Sequence, residues 1–180
     1  MILIGIGANL TSLKYGEPRK TCGAALESLT KAGLLIKARS RWYKSAPVPI
    51  SNQPWFINAV VQVETAKTPY ELMELLLKIE NDFGRIRGNK NAPRTLDLDL
   101  IAYNKVVISS QKEGAPSLNI PHPRLQDRAF VLFPINDISP NWHHPNINLN
   151  LKEMISRLPK EQKTQPMTDA NGFLGTEWKN

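Results

Sequence analysis

The sequence holds a single cysteine, Cys22, so neither a disulfide framework nor a cysteine-ligated zinc site can be built within it. A reducing compartment, the cytoplasm, is therefore expected. No apolar run approaches the ~20 residues of a membrane span. The apolar start, residues 1–10, lacks the basic n-region of a signal peptide and reads as a first strand. Two nucleotide-binding signatures are also missing. Gly5-Ile6-Gly7-Ala8-Asn9-Leu10 lacks the third glycine of G-x-G-x-x-G, and no G-x-x-x-x-G-K followed by Ser or Thr occurs. A nucleotide, if bound, must be held by another device. Core-building material is not scarce: 180 residues with 41% apolar content suit one domain that folds without disulfides or a structural metal.

Charge is plentiful and uneven. There are 23 basic and 16 acidic residues, a net +7, a balance that invites a nucleic-acid reading. Residues 1–45 carry eight cations and two anions, and residues 46–83 carry two and five. Residues 84–94 carry four cations (Arg85, Arg87, Lys90, Arg94) and no anion. Lys37, Arg39 and Arg41 alternate along a strand-like stretch and suit a solvated face or a guarded sheet edge. The 84–94 segment repels itself and reads as a loop that awaits an anion.

Periodicity predicts the element order. A strand over residues 2–7 is followed by a helix over 17–32, with Pro18 in its first turn, Cys22 on its apolar stripe and Gly33 at its end. Residues 34–45 read as a strand and 46–54 as a Pro-rich loop. In a strand over 55–65, Ile57, Ala59, Val61 and Val63 share one face, and Phe56, Asn58, Val60 and Gln62 the other. The second face suits either a flat polar ligand or an ordinary half-exposed sheet surface. Thr68-Pro69-Tyr70-Glu71 is a capping box with Pro at the first helical position, and the helix it opens stops at Gly84. Residues 96–103 are a strand, 105–119 a hairpin-like excursion, and 149–158 a short helix. In the polar tail only Phe173, Leu174 and Trp178 are large apolar anchors. The resulting fold class is α+β: a ferredoxin-like βαββαβ antiparallel sheet with two helices on one face and additional C-terminal elements. Residues 1–148 would form the main body, and 149–180 a helix and tail of the same domain.

The sharpest local feature is Leu96-Asp97-Leu98-Asp99-Leu100. Strand periodicity puts both carboxylates on one face, with Cα atoms roughly 6.6 Å apart, and the leucines on the other. Two hard oxygen donors so placed suit Mg²⁺, which takes one or two carboxylates plus phosphate oxygens. An acidic strand face neutralised by nearby arginines is the alternative. Arg94 and the basic loop lie just upstream, as a metal-bound polyphosphate would require. His122, held between Pro121 and Pro123, could hydrogen-bond a phosphate or serve a turn. His143 and His144 share no metal spacing with it and read as surface residues beside Trp142.

These blocks carry a resemblance. Ile4-Gly5-Ile6-Gly7-Ala8-Asn9-Leu10, Gln53-Pro54-Trp55-Phe56-Ile57-Asn58-Ala59-Val60, Gly84-Arg85-Ile86-Arg87, Pro93-Arg94-Thr95-Leu96-Asp97-Leu98-Asp99, Ile120-Pro121-His122-Pro123-Arg124 and Arg128-Ala129-Phe130 occur in this order. Together they resemble the 6-hydroxymethyl-7,8-dihydropterin pyrophosphokinase family. The resemblance implies transfer of a pyrophosphoryl group from ATP to the pterin hydroxymethyl oxygen, with release of AMP. It implies two Mg²⁺ ions on Asp97 and Asp99. ATP would contact Glu80, Arg85, Arg87, Arg94, Asn119, His122 and Arg128. Of these, Arg85, Arg94, His122 and Arg128, together with Asp97 and Asp99, would carry catalysis. The pterin would lie between Phe56 and Phe130, read by Asn58, Asp97 and groups at Ser45, Ala46 and Val48. Partners would be small molecules, not nucleic acid or membrane, and the protein a monomer. An RNA-binding module and a catalytically silent nucleotide-binding regulator are the competing readings.

Overall fold

Three strands form the heart of a mixed α/β molecule, described by a computed structural model at residues 1–85, 92–110 and 117–167. β1 (Ile2–Ala8) lies between β4 (Phe56–Glu64) and β5 (Asp97–Tyr103), antiparallel to both. β2 (Leu35–Arg39) and β3 (Tyr43–Ser45) both pair antiparallel with β4, and β8 (Thr164–Pro166) extends the sheet beyond β3. The strand expected over 34–45 is therefore two strands. Ser40 interrupts it: its hydroxyl accepts from Val60 N (3.0 Å) and donates to the Arg41 carbonyl (2.8 Å), diverting the ladder. A separate two-stranded ribbon, β6 (Ile108–Ser110) with β7 (Leu118–Ile120), forms the expected hairpin excursion, and its connecting residues lie outside those described.

Both faces of the sheet are covered, and this corrects the expectation of helices on one face only. On one side Ile4, Ile6, Ala59, Val61, Leu98 and Leu100 pack against α1 (Pro18–Lys31) and α2 (Pro69–Asp82). The helical stripes supply Cys22, Leu26 and Leu29 from α1, and Leu72, Leu76 and Ile79 from α2. Cys22 is thus a small core residue. The Thr68 hydroxyl accepts from Glu71 N, and the Glu71 carboxylate accepts from Thr68 N (2.7 Å), completing the expected box. Gly84 ends the helix at φ +76°, a conformation that costs other residues about 1–2 kcal/mol.

On the opposite side α3 (Ala129–Ile138) and α4 (Leu151–Ser156) pack Val131, Leu132, Ile135, Leu151 and Met154 over Leu3, Val60 and Ile101. This second layer covers only part of the face. Trp142 and His144 belong to it: His144 is buried, edge-on to the Trp142 ring, so its surface placement from sequence is wrong. The imidazole Nδ1 accepts from Asn146 N (3.2 Å), which gives the buried ring a partner, and burial lowers its pKa. The anchors Phe173, Leu174 and Trp178 lie outside the described residues. No helix among the described residues is long and apolar enough to cross a membrane.

Candidate active site

Where α3 and α4 leave the sheet uncovered, a cavity of about 510 Å³ opens onto it. Strand register explains its floor. Gly7 of the central strand faces Asn58 on one neighbour and Asp97 on the other, and Gly5 faces Val60 and Asp99. The polar face of β4 and the acidic face of β5 thus lie side by side, with glycines between them. A Cβ on Gly7 would stand 3.0 Å from Asn58 Oδ1, so a larger residue there would have to push that amide aside by a few tenths of an ångström. Asn58 is buried and donates through Nδ2 to Ser45 Oγ (2.8 Å), which leaves Oδ1 as the amide's acceptor.

The arginines are locked by local chain geometry. Arg85 follows the Gly84 turn, and its Nη1 donates to Glu80 Oε1 (2.8 Å), to the Leu96 carbonyl (2.9 Å) and to Asp97 Oδ1. Arg94 Nη1 donates to Asp97 Oδ2 (2.8 Å). Its backbone is fixed by Asn9: Arg94 N donates to Asn9 Oδ1 (2.8 Å), and Asn9 N donates to the Arg94 carbonyl (3.1 Å). The Asn9 amide also donates to the Pro54 carbonyl (3.1 Å), tying the basic loop's end to the Pro-rich loop. Arg94 lies over the Phe56 ring, 5.7 Å from its centroid, and Arg128 over the Phe130 ring at 5.2 Å. Each aromatic wall therefore carries a guanidinium against its ring.

The two aspartates differ in environment. Burial disfavours ionised Asp97, but Arg94 and Arg85 outweigh it and hold the carboxyl below its ordinary range. Asp99 goes the other way: burial and the Asp97 charge raise it. Its ion-pair partner among the described residues, Arg128 Nη1, stands 3.7 Å away, beyond hydrogen-bond distance. His122 is pushed down to about 4 by burial and by Arg128 and Arg124. Its Nδ1 accepts from Arg124 N (3.2 Å), so the neutral ring's proton is assigned to Nε2.

Twelve of the residues singled out from sequence line this cavity. They are Arg85, Arg94 and Arg128 with Asp97, Asp99 and His122, and the six residues expected to contact a pterin, Ser45, Ala46, Val48, Phe56, Asn58 and Phe130. Two others stand outside it. Glu80 is buried behind the wall, where Oε1 accepts from Arg85 and from Leu98 N (2.8 Å), so it supports Arg85 rather than facing the cavity. Asn119 sits on the β6–β7 ribbon, bonded to Ser109 Oγ (3.2 Å). Arg87 lies outside the described residues. Sequence reasoning assigned no role to Arg124, Gln53, Gly5 or Gly7. Each stands in one of the blocks that carry the resemblance, and that place in a block was their signal.

Four arginines and two aspartates face the cavity, an excess of positive charge beside two aromatic rings. Such a lining suits a polyanion together with a flat ring. Among the described residues no group of three His, Cys, Asp or Glu side chains could enclose a metal. Two hard carboxylates beside an anion-binding wall nevertheless fit Mg²⁺, whose remaining ligands come from phosphate and water. The under-compensated Asp99 is the kind of donor such an ion would neutralise.

The molecule is thus a mixed α/β protein with a cationic, di-aspartate ligand cavity on an antiparallel sheet. The model of the 7,8-dihydro-6-hydroxymethylpterin-pyrophosphokinase family matches residues 3–140, and the chain belongs to that family. A Synechocystis protein named 2-amino-4-hydroxy-6-hydroxymethyldihydropteridine pyrophosphokinase is 38% identical over 156 residues, 87% of this chain and 75% of that one. A Pseudomonas aeruginosa protein of the same name is 33% identical, covering 89% of this chain and 93% of its own. The chain spans only 18% of the Dictyostelium discoideum folic acid synthesis protein FOL1, to which it is 37% identical. It likewise spans 26% of an Arabidopsis thaliana folate synthesis bifunctional protein. Among solved structures, wild-type Plasmodium falciparum HPPK-DHPS shares the fold, with a TM-score of 0.64 at 14% identity over 86% of this chain and 44% of that one.

Proposed function

We propose that this protein transfers a pyrophosphoryl group from ATP to the hydroxymethyl oxygen of 6-hydroxymethyl-7,8-dihydropterin, releasing AMP. The observation that carries this reading is one cavity joining Phe56, Phe130 and Asn58 to Asp97, Asp99 and three arginines of the family pattern. Phe56 and Phe130 stack the pterin, and Asn58 Oδ1 accepts from its polar edge. Arg85, Arg94 and Arg128 take the ATP phosphates, and neutral His122 donates from Nε2 to a phosphate oxygen. Asp97 and Asp99 would hold Mg²⁺, two ions in our reading. Bound there, such an ion would supply charge neutralisation at the phosphates and would make the pterin hydroxyl more acidic. The hydroxyl oxygen attacks the β-phosphorus in line. A new O–P bond forms, the bond from the β-phosphorus to the oxygen bridging it to the α-phosphorus breaks with its electron pair leaving on AMP, and the hydroxyl proton passes to solvent. The protein's part is orientation and charge placement.

The strand order β5-β1-β4, with β2 and β3 both paired to β4, supports a ferredoxin-like βαββαβ topology in which the second strand is split. The pairing of β8 with β3 supports one domain, with the segment after residue 148 belonging to the body before it. A site built from one chain suits a monomer acting on small molecules, and ATP as co-substrate suits the cytoplasm. Incubation with Mg²⁺, ATP and the hydroxymethyl pterin should give AMP only when the pterin is present. ATP binding without AMP release, or salt-sensitive RNA binding without AMP, would overturn the reading.

A further inference from the structure

Arg128 is the N-cap of α3, yet no side chain of the local sequence caps that helix. The cap comes from 33 residues downstream. Gln162 Oε1 accepts from Ala129 N (2.9 Å), and Gln162 Nε2 donates to the Asp127 carbonyl (2.6 Å). One amide thus holds the backbone on both sides of Arg128. The residues that follow are fixed to the other side of the cavity. Lys163 O accepts from Ala46 N (2.9 Å), β8 pairs with Tyr43, Lys44 and Ser45, and Met167 N donates to the Trp42 carbonyl (2.7 Å). Residues 162–167 therefore tie the segment presenting Arg128 to the strand presenting Ser45 and Ala46. This stretch lies beyond residues 3–140 of the family match.

We infer that Gln162 is a positioning residue for the transfer reaction, acting through Arg128. The physical reason is specific to this geometry. Arg128 Nη1 is 3.7 Å from Asp99 and makes no hydrogen bond to it, so the carboxylate alone does not fix the guanidinium. Its direction is set by the backbone from which it springs, and Gln162 holds that backbone. A neutral amide can do this with one donor and one acceptor and adds no charge to a wall already carrying Arg124 and Arg128.

The inference rests on the pyrophosphoryl-transfer reading, and its test separates the two. Gln162→Met keeps length and packing but removes both hydrogen bonds. Gln162→Glu keeps the acceptor for Ala129 N and loses the donor. In AMP-release assays Gln162→Met should lower kcat about tenfold to a hundredfold, the scale of an ångström-sized misplacement. Pterin KM should stay within about twofold, since Gln162 acts through Arg128, which the reading places on the ATP phosphates. Gln162→Glu should fall between that variant and the parent. In an Arg128→Ala background, Gln162→Met should cost no further activity, because its effect passes through the missing side chain. An unchanged kcat, or an equal further loss in the Arg128→Ala background, overturns the inference. A parent protein that forms no AMP overturns the function instead.

Discussion

Removing the charge of Asp99 should strengthen the fold while destroying the site. In Asp99→Asn the strand, the side-chain shape and the neighbours are kept, and only the ionisable oxygen is lost. The folded carboxyl stands near 6 instead of its ordinary 3.8, because burial and the Asp97 charge disfavour its ionised form more than Arg128, Arg85 and Arg94 support it. At about 1.4 kcal/mol per pKa unit, keeping it ionised above pH 6 costs about 3 kcal/mol. A third of the side chain is still exposed (33%), and solvent screening reduces the expected effect to about 1–2 kcal/mol. Below about pH 4 the carboxyl is mostly protonated whether folded or unfolded, so the substitution changes little. Between about 4 and 6 the unfolded chain ionises first, and the parent loses stability that the variant keeps. Above that window the difference is flat. Urea unfolding without divalent cations at pH 4 and pH 8 measures it, and AMP release at pH 8 should be nearly abolished in the variant. A variant less stable than its parent at pH 8, or equally favoured at both pH values, would show that the ionised Asp99 does not strain the folded state.

The other predictions concern the cavity's floor and walls. Gly7→Ala forces a Cβ against Asn58 Oδ1 at 3.0 Å, and Asn58 is held by Ser45. At about 1–3 kcal/mol for overpacking, the pterin dissociation constant should rise about tenfold or more, read by equilibrium binding; unchanged affinity would count against the floor assignment. Asp137 accepts from Arg41 N, Nε and Nη2 and from the Tyr43 hydroxyl, joining the chain before β3 to α3. Burial and then Asp137 push Tyr43 up to about 12. Asp137→Ala should lower stability by about 1–3 kcal/mol, read by denaturant midpoint, since it removes four hydrogen bonds to one carboxylate and leaves Arg41 and the Tyr43 hydroxyl only each other (3.1 Å). His122 is lowered to about 4 in the ligand-free protein. It therefore binds fewer protons folded than unfolded, and its contribution to stability is lost as pH falls from about 6.5 to about 4. His122→Gln should lose less stability than the parent between pH 7 and pH 5. Parallel pH curves would show that the ring is not buried neutral.

The sequence was most legible where a local pattern decides the outcome. The capping box of α2, the Gly84 stop and the two faces of β4 follow from spacings of two to four residues. The Asp97–Asp99 pair was legible as a shared face for the same reason. Residues that act across strands left no such trace. Gly7 matters because β1 runs between Asn58 and Asp97, a neighbour relation set by register and not by sequence distance. Glu80 could be read as a ligand contact or a helix-end charge; its burial, with Arg85 and Leu98 N on one oxygen, is set by tertiary packing that spacing along α2 does not reveal. The second helical layer was hidden by composition. Residues 129–138 are apolar nearly all round and contain Pro134, so neither a 3.6-residue stripe nor a clean helix signal appears.

That hidden layer explains why the site exists where it does. A sheet with both faces fully packed would have left Asn58, Asp97 and Asp99 without solvent or ligand, at a cost of several kcal/mol for each unpaired charge. α3 begins at Ala129, beside the cavity, and runs away from it over Leu3, Val60 and Ile101. Its first turn contributes Arg128 and Phe130 to the wall, and its remaining length closes the core. One element thus supplies both the boundary of the apolar layer and the cation and ring facing the acids of β5. Pro134 lacks the N–H that would bond to the Phe130 carbonyl, so the turn holding Phe130 has one helical hydrogen bond fewer than its successors. A turn so weakened, capped from outside by Gln162, depends on the chain's C-terminal part for its position. The match to residues 3–140 therefore contains the chemical groups, while part of what orients Arg128 lies beyond it.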